Sequence, residues 1–223
     1  MKALSVLALS GLVLLAVPLA TTADQDGPYT YTVSAGQATI TDFNTTYSGA
    51  LSITNTLGGC RVTTIGVSAF RSCTNMTSVT IPDSVTNIGS EAFYYCTALT
   101  SVTIGNSVTT IGKNAFNNCT ALTSVTIPDS VTTIGEYAFC LCPALRRVYF
   151  AGNAPTPGTA LFKKTPATLY YLPAFASTWP STFADRPTVL WNPTTATLAT
   201  GSLDFTDPDA TNYPARFYRI GTP

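Results

Sequence analysis

Four cysteines recur every 23 residues in the middle of this 223-residue chain: Cys73, Cys96, Cys119 and Cys142. Thiolates at regular spacing could form disulfide bonds or bind a soft metal ion. The chain contains no Cys-x-x-Cys pair and no histidine, so the usual zinc-binding sets are missing. If short helices carry these cysteines, adjacent copies lie ~8–10 Å apart, beyond the ~4.4–6.8 Å between Cα atoms that a disulfide needs. We therefore predict a column of buried, free thiols, with no metal site and no cofactor.

Groups that could catalyse acid–base chemistry are few. Without histidine the chain lacks the commonest general base. The acidic residues inside the repeated segment are Asp83, Glu91, Asp129 and Glu136. Glu91 and Glu136 occupy different positions within the repeat, so they form no obvious pair of the kind that glycosidases use. We predict that the chain is not an enzyme, and an exported carbohydrate-active enzyme is the minor alternative.

A repeated block of 23 residues positions these side chains. Copies begin at Ile65, Ile88, Ile111 and, in diverged form, at Ile134, with no insertion between them. The second and third copies are identical at 17 of 23 positions. Repeats of this length indicate a solenoid, in which each unit buries its apolar side against its neighbours. The fold class that we predict is therefore a repeat solenoid with a 23-residue period.

Each copy contains signals for four short elements. Residues 99–104 end in an alternation of hydroxyl and apolar side chains over 101–104, which predicts a strand, and Gly105-Asn106 favours a turn. A second extended segment ends at Gly112, and the apolar spacing in residues 113–119 suits one or two helical turns. Stacking then places equivalent side chains in columns: Phe70, Phe93, Phe116 and Phe139; Cys73, Cys96, Cys119 and Cys142; Val79, Val102, Val125 and Val148; Ile65, Ile88, Ile111 and Ile134.

The repeated pattern IGxxAFxxCTxLTSVTIPxSVTx resembles the BspA-type, or Treponema pallidum-type, leucine-rich repeat over residues 53–156. The resemblance implies a right-handed coil of short parallel strands and short helices. Members of that family are bacterial and protist surface or secreted proteins, and some are adhesins that bind host matrix proteins. An interaction role is thus implied, without identifying the ligand.

The strand positions predicted to point outward form a face of hydroxyl groups. We predict that a partner protein or glycan binds this face through Ser101, Thr103, Ser124 and Thr126, extended by Arg147 and Tyr149. The alternative is that these polar residues only keep one face of a sheet soluble. Tyr94 and Tyr95, which vary between copies, mark the competing binding surface on the helix side.

The N-terminus has the order of a secretory signal. A lysine precedes an apolar run over residues 3–20, and small residues follow it. Cleavage after Ala23 is predicted, with cleavage after Ala20 as the alternative. An uncleaved anchor competes, because the run approaches the ~20 residues that a membrane span needs, but Gly11 and Pro18 interrupt it. We expect an exported protein with no membrane span in the mature chain.

The regular period fails after the fourth copy. Tyr170, Tyr171, Trp179 and Trp191 could form a platform for a sugar, but packing in a cap is the favoured interpretation. Asp204, Asp207 and Asp209 lack the spacing of a calcium-binding loop. The predicted domains are a signal peptide (1–23), N-terminal lead-in and cap coils (24–64), four leucine-rich repeats (65–156), a C-terminal cap (157–191) and a tail with two possible strands (192–223).

A formal net charge of zero gives no basic footprint for nucleic acid. The sequence therefore favours a secreted or cell-surface, non-catalytic interaction protein. A structural spacer of the cell envelope is the alternative, and the oligomeric state is left open.

Overall fold

The computed structural model of the protein describes residues 23–191. The predicted tail, 192–223, lies outside these residues, as does the predicted signal peptide except for Ala23. Within 23–191 there is no helix long and apolar enough to cross a membrane.

Short strands make up nearly all of the regular structure in these residues. In chain order the elements are β1 Asp24–Asp26, β2 Tyr29–Ser34, β3 Gln37–Phe43, β4 Gly49–Ser52, β5 Thr56–Leu57, β6 Cys60–Ile65, β7 Met76–Thr80, β8 Asn87–Ile88, β9 Ser101–Thr103, β10 Thr110–Ile111, β11 Ser124–Ile127, β12 Thr133–Ile134, β13 Arg147–Phe150, β14 Thr156–Pro157, β15 Thr168–Tyr171, the 3-10 helix Pro173–Thr178, β16 Thr182–Phe183 and β17 Arg186–Leu190.

The strands stack into a solenoid with sheets along its sides. One sheet has nine strands in the order β1-β2-β3-β6-β8-β10-β12-β14, with β5 attached to β6. The opposite side carries a three-stranded sheet, β4-β7-β9, and a five-stranded sheet, β11-β13-β15-β17-β16. Neighbouring coils pair in parallel and in register, for example Ile88 with Ile111 and Ile111 with Ile134. The predicted solenoid with a 23-residue period is confirmed.

The N-terminal end of the stack is closed by antiparallel strands. β1 pairs with β2 and β2 with β3, and β3 then pairs in parallel with β6 of the first coil. A hairpin thus connects the lead-in to the regular coils.

A column of phenylalanine rings fills the centre of the coils. Phe70, Phe93, Phe116 and Phe139 are completely buried, and their ring centroids follow one another at 5.0, 5.1 and 5.3 Å. Phe43 lies 4.8 Å from Phe70 at one end, and Phe162 lies 5.8 Å from Phe139 at the other. The ring column therefore continues past both limits of the four 23-residue copies.

The segments that were predicted to be helical are not helices. We call residues 66–73, 89–96, 112–119, 135–142 and 158–165 the turn segments. Ser68 and Ser72 have φ angles of 59° and 60°, and every later turn segment repeats two such left-handed residues four apart. An α-helix cannot contain this conformation in L-residues without strain. The prediction of short helices is therefore wrong at this position of the repeat.

The backbone hydrogen bonds of the turn segments run between coils and not along a helix. The N–H groups of Glu91, Phe93 and Tyr95 donate to the carbonyls of Lys113, Ala115 and Asn117 in the next coil. The N–H groups between them close turns within their own segment, as from Ala92 to Gly89. Alternate residues thus bond to the neighbouring coil, as in a parallel sheet. The coils consequently lie at the ~4.8 Å spacing of β-strands, and not at the 8–10 Å of packed helices.

The C-terminal part of the described chain packs its aromatic side chains together. Trp179 lies 4.6 Å from Phe150, 5.4 Å from Tyr171 and 5.2 Å from Phe183, measured between ring centroids. Trp179 Nε1 donates to the carbonyl of Gly152 at 3.1 Å. This packing covers the end of the apolar core beside β13 and β15.

Candidate binding surface

The strand face carries the predicted binding residues in register. Ser78 pairs with Ser101 and Thr80 with Thr103 in one sheet, and Ser124 pairs with Arg147 in the other. The valines between these positions are buried and form the apolar side of each strand: Val79, Val102, Val125 and Val148. Side chains alternate across a strand, so burying the valines directs the hydroxyl groups outward.

Exposure along this face is uneven. Ser101, Thr103 and Arg147 are exposed, whereas Ser124 and Thr126 are half-buried. Tyr149, which pairs with Thr126, is only 7% exposed. The expectation that Tyr149 extends an exposed face is therefore wrong. The rings of Tyr170 and Trp191, at 5.1 and 4.9 Å between centroids, cover it.

The hydroxyl groups of the strand face differ from those of threonines elsewhere in the coils. Oγ1 of Thr100 donates to the carbonyl of Thr77 at 2.9 Å, and Oγ1 of Thr109 donates to that of Thr86 at 3.1 Å. In contrast, six strand-face hydroxyls make no hydrogen bond to any residue in the range 23–191: Ser78, Thr80, Ser101, Thr103, Ser124 and Thr126. The threonine hydroxyls outside the face hold adjacent coils together, while those on the face make no such bond within residues 23–191.

Sequence reasoning did not identify these bridging threonines. The sequence pattern that could have identified them is the threonine repeated at residues 86, 109 and 132. At each of these positions the hydroxyl and the backbone N–H donate to the same carbonyl of the preceding coil. A carbonyl has two lone pairs, so both donors can be accepted. The threonine repeated at this position therefore links adjacent coils through its side chain.

The turn side carries the competing surface. Tyr95 is 48% exposed, and Val67 in the preceding coil is 67% exposed. The guanidinium of Arg71 lies 4.7 Å from the centroid of the Tyr94 ring and also pairs with Glu91. Such a cation–π contact is worth ~0.5–1 kcal/mol at an exposed site. The arrangement holds Arg71 and Tyr94 in one orientation on the surface of the first two coils.

A second ion pair joins the next two coils on the turn side. Lys113 Nζ lies 2.8 Å from a carboxylate oxygen of Glu136, and Oγ1 of Thr159 donates to Glu136 at 2.9 Å. Lys113 and then Thr159 lower the pKa of Glu136. The two groups are exposed, so their pair has little effect on stability.

The cysteine column is buried, and its thiols are unpaired in the structure. Sγ of Cys96 donates to the carbonyl of Phe70 at 3.1 Å, Sγ of Cys119 donates to that of Phe93 at 3.3 Å, and Sγ of Cys142 donates to that of Phe116 at 3.2 Å. All six cysteines of the chain are unpaired. The distance argument for this state was wrong, because coils at β-strand spacing are near enough for disulfides. The observed features of these thiols are their burial and their hydrogen bonds to backbone carbonyls.

At the C-terminal end of the cysteine column, two other side chains donate to phenylalanine carbonyls in the way that the thiols do. Oγ1 of Thr165 donates to the carbonyl of Phe139 at 2.6 Å, in the place of a thiol. Nη2 of Arg186 donates to the carbonyl of Phe162 at 2.9 Å. Each carbonyl of the phenylalanine column from Phe70 to Phe162 thus accepts from a side-chain donor.

The buried thiols are expected to be chemically inert in the folded protein. Burial raises the pKa of Cys96 from its ordinary value of 9.0 to about 12, and it raises the pKa of Cys119 well above 9.0. Because the thiolate is the reactive form, iodoacetamide at pH 8 should label neither residue until denaturant is added. Mass spectrometry of the labelled protein measures this, and a Cys96–Cys119 disulfide would contradict it.

The same raised pKa values predict how the cysteines affect stability with pH. Below pH 9 the thiols are protonated in both states, so their contribution is constant. Between pH 9 and 12 the unfolded chain loses these protons and the folded chain keeps them, so the free energy of unfolding falls. Urea titrations at pH 8 and pH 10 measure this fall, which should be smaller in Cys96→Ala.

A group of side chains that could bind a metal ion is not found in the described part of the chain. Among residues 23–191, no three histidine, cysteine, aspartate or glutamate side chains are grouped so that they could hold a metal ion.

Comparison with known proteins places these features in a family context. The sequence profile of the BspA type leucine rich repeat region matches residues 45–184 in six copies. A search of curated proteins found no match. The fold is similar to that of the T. pallidum leucine rich repeat protein, with a TM-score of 0.61 at 24% identity, covering 67% of this chain and 71% of that one.

Two further crystal structures are similar. One is a leucine rich cell surface protein from Faecalibacterium prausnitzii, with a TM-score of 0.58 at 29% identity, covering 64% of this chain and 38% of that one. The other is a leucine-rich repeat protein from Bacteroides capillosus, with a TM-score of 0.53 at 36% identity, covering 58% of this chain and 99% of that one.

Proposed function

Because this chain belongs to the BspA-type leucine-rich repeat family, we propose that it is an exported or cell-surface protein that binds another protein or a glycan without catalysis. One observation carries the proposal. The strand face presents outward hydroxyls that are unused within residues 23–191, whereas Thr100 and Thr123, just outside the face, bond to the neighbouring coil. A polar donor and acceptor array on a rigid sheet suits an external partner, since little side-chain freedom is lost on binding.

Support for location at the cell surface comes from two sources. The N-terminal sequence has the order of a secretory signal, and a related protein from F. prausnitzii is a cell surface protein. The family consists of repeat proteins in which extended surfaces contact partners. Together these observations support an interaction role at the cell surface.

The binding residues that we propose are Ser101, Thr103, Ser124, Thr126 and Arg147. Single hydroxyls should contribute little, because the binding energy is spread over many weak contacts. Arg147 should contribute more, since arginine is enriched among residues whose truncation costs ~2 kcal/mol or more. Tyr149 is better regarded as support beneath the face, because Tyr170 and Trp191 cover it.

Charged substitutions on the strand face test this proposal. The double variant Ser101→Lys, Ser124→Lys should weaken binding to an immobilised partner at least tenfold, because two ammonium groups disrupt contact with the face. Binding is measured on panels of matrix proteins and glycans, with circular dichroism as the check on folding.

The matched control places the same charges elsewhere. Thr110→Lys, Thr133→Lys adds two lysines to the opposite sheet, at paired positions whose hydroxyls make no hydrogen bond within residues 23–191, and should leave affinity within threefold of wild type. The double variant Tyr94→Ala, Tyr95→Ala probes the turn side. If it removes binding while the Ser101, Ser124 variant binds normally, the strand face is the wrong surface. Absence of a partner across the panels favours a structural spacer instead.

A further inference from the structure

The strand side of the solenoid is interrupted between the second and third coils, which begin at Ile88 and Ile111. β9 ends the three-stranded sheet and β11 begins the five-stranded sheet, and no strand pairing joins them. One coil earlier, the N–H of Ile81 donates to the carbonyl of Thr103 at 2.9 Å. The equivalent donor, the N–H of Ile104, has no acceptor within residues 23–191. We call this interruption between β9 and β11 the seam.

Two further observations show that the coils lie farther apart at the seam. The N–H of Thr123 reaches the carbonyl of Thr100 at 3.3 Å, whereas the same bond one coil earlier, from Thr100 to Thr77, is 2.8 Å long. The inward side chain of Val102 beside the seam is 8% exposed, against 1% for Val79 in the preceding strand. The backbone bond and the apolar packing are therefore both looser here than between the first two coils.

The opposite side of the same two coils is closed. β10 pairs with β12 in register, and the N–H of Thr132 donates to the carbonyl of Thr109 at 2.9 Å. In the centre, the ring centroids of Phe93 and Phe116 are 5.1 Å apart, which is the ordinary separation in the phenylalanine column. The wider spacing is thus confined to the strand side, and the continuous sheet opposite holds the two coils together.

A glycine explains the position of the second coil. Gly105 stands where the first and third copies have Pro82 and Pro128. A Cβ atom at Gly105 would lie 2.5 Å from the carbonyl oxygen of Pro82, so the missing side chain lets this turn approach the first coil. The N–H of Asn106 also donates to Oδ1 of Asp83 in that coil at 2.8 Å. On the strand side, the second coil therefore lies toward the first and away from the third.

We propose that the seam is a hinge, at which the strand side of the solenoid opens and closes about the continuous sheet of the opposite side. A backbone donor needs an acceptor: opening gives the N–H of Ile104 to water, and closing gives it to the carbonyl of Thr126. Ser101 and Thr103 lie on one side of the seam, and Ser124 and Thr126 on the other, so the hinge sets the spacing between the two halves of the strand face. The hinge itself does not depend on what that face binds.

Native-state amide exchange in the full chain tests the hinge, because exchange reports local opening. After correction for intrinsic rates, the N–H of Ile104 should exchange at least ten times faster than that of Ile81. The N–H groups of Thr132 and Gly135, on the closed side of the same two coils, should stay protected. Equal protection of Ile104 and Ile81 overturns the proposal. Fast exchange at Thr132 and Gly135 as well means that the two coils separate as a whole, which also overturns a hinge.

The variant Gly105→Pro restores the residue of the neighbouring copies and tests the cause. The N–H of Gly105 makes no hydrogen bond within residues 23–191, so proline removes none. Its ring cannot fit against Pro82 at the present spacing, so the turn should move toward the third coil. Exchange at Ile104 should then slow at least tenfold relative to wild type.

Asn106→Ser is the matched control, because it changes the neighbouring exposed residue without adding an atom against the first coil. Its Ile104 exchange should stay within threefold of wild type. If Gly105→Pro and wild type exchange equally at Ile104, the glycine does not hold the seam open and this cause is wrong. The comparison of Ile104 with Ile81 in the wild-type protein decides the hinge itself, whether or not the proline variant folds.

Discussion

Phe116→Ala should lower the free energy of unfolding by about 3–5 kcal/mol. The ring is completely buried between Phe93 at 5.1 Å and Phe139 at 5.3 Å. Removing it leaves a cavity in the middle of the column, and both neighbouring rings lose a contact face. The backbone around it cannot close the gap, because hydrogen bonds to both adjacent coils fix its position.

Urea denaturation and thermal melting measure this loss, at about 2–4 °C of melting temperature per kcal/mol for a domain of this size. Tyr95→Ala is the matched control, since it removes an aromatic ring that is 48% exposed. Its effect should stay within about 0.5 kcal/mol. Equal melting temperatures for Phe116→Ala and wild type would show that the ring column does not support the fold.

Gly112→Ala should destabilise the protein by about 1–3 kcal/mol or more, although it adds a single methyl group. A Cβ atom at Gly112 would lie 2.6 Å from the backbone carbon of Gly89 and 2.6 Å from the backbone nitrogen of Ser90. Backbone atoms cannot rotate away as a side chain can. The two coils must therefore separate, which stretches the hydrogen bonds between them.

Ser90→Ala provides the control, because it changes a neighbouring residue without adding an atom against the next coil. It should unfold at nearly the urea concentration of wild type. A Gly112→Ala protein of normal stability would mean that the coils are farther apart at this position than the structure has them.

The columns of identical residues could be predicted because the period places them. Phe93 and Phe116 occupy the same position in successive copies, and in a solenoid equal positions must stack. The burial of Cys96 and Cys119 followed from the same argument. Gly112 was interpreted as a residue that ends a strand, whereas its main requirement is close approach to Gly89 and Ser90.

The turn segments could not be predicted from residue types. Apolar spacings of three and four suit a helix, and the left-handed positions hold glutamate and tyrosine at 91 and 95, and asparagine at 114 and 118. Glutamate and tyrosine are residues that rarely signal a positive φ. Hydrogen bonds to the next coil stabilise this backbone, and they exist only once the coils are stacked.

The environment of Tyr149 also depended on residues beyond the regular repeat. Tyr149 pairs with Tyr170 of β15, and the ring of Trp191 packs against it. The period fails between these strands, so their alignment was not visible in the sequence. The exposed hydroxyl positions before Tyr149, such as Ser101 and Thr103, lie within the regular copies, and their placement was predicted.

The uniform contact between coils has a consequence for inheritance. The second and third copies share 17 of 23 residues, and each meets its neighbours through the same ring, glycine and threonine positions. A gene duplication that inserts one more 69-nucleotide unit in frame would therefore create a coil whose two faces already fit those beside it. Recombination between such similar copies can lengthen or shorten the protein stepwise, and descendants can differ in reach while keeping both ends unchanged.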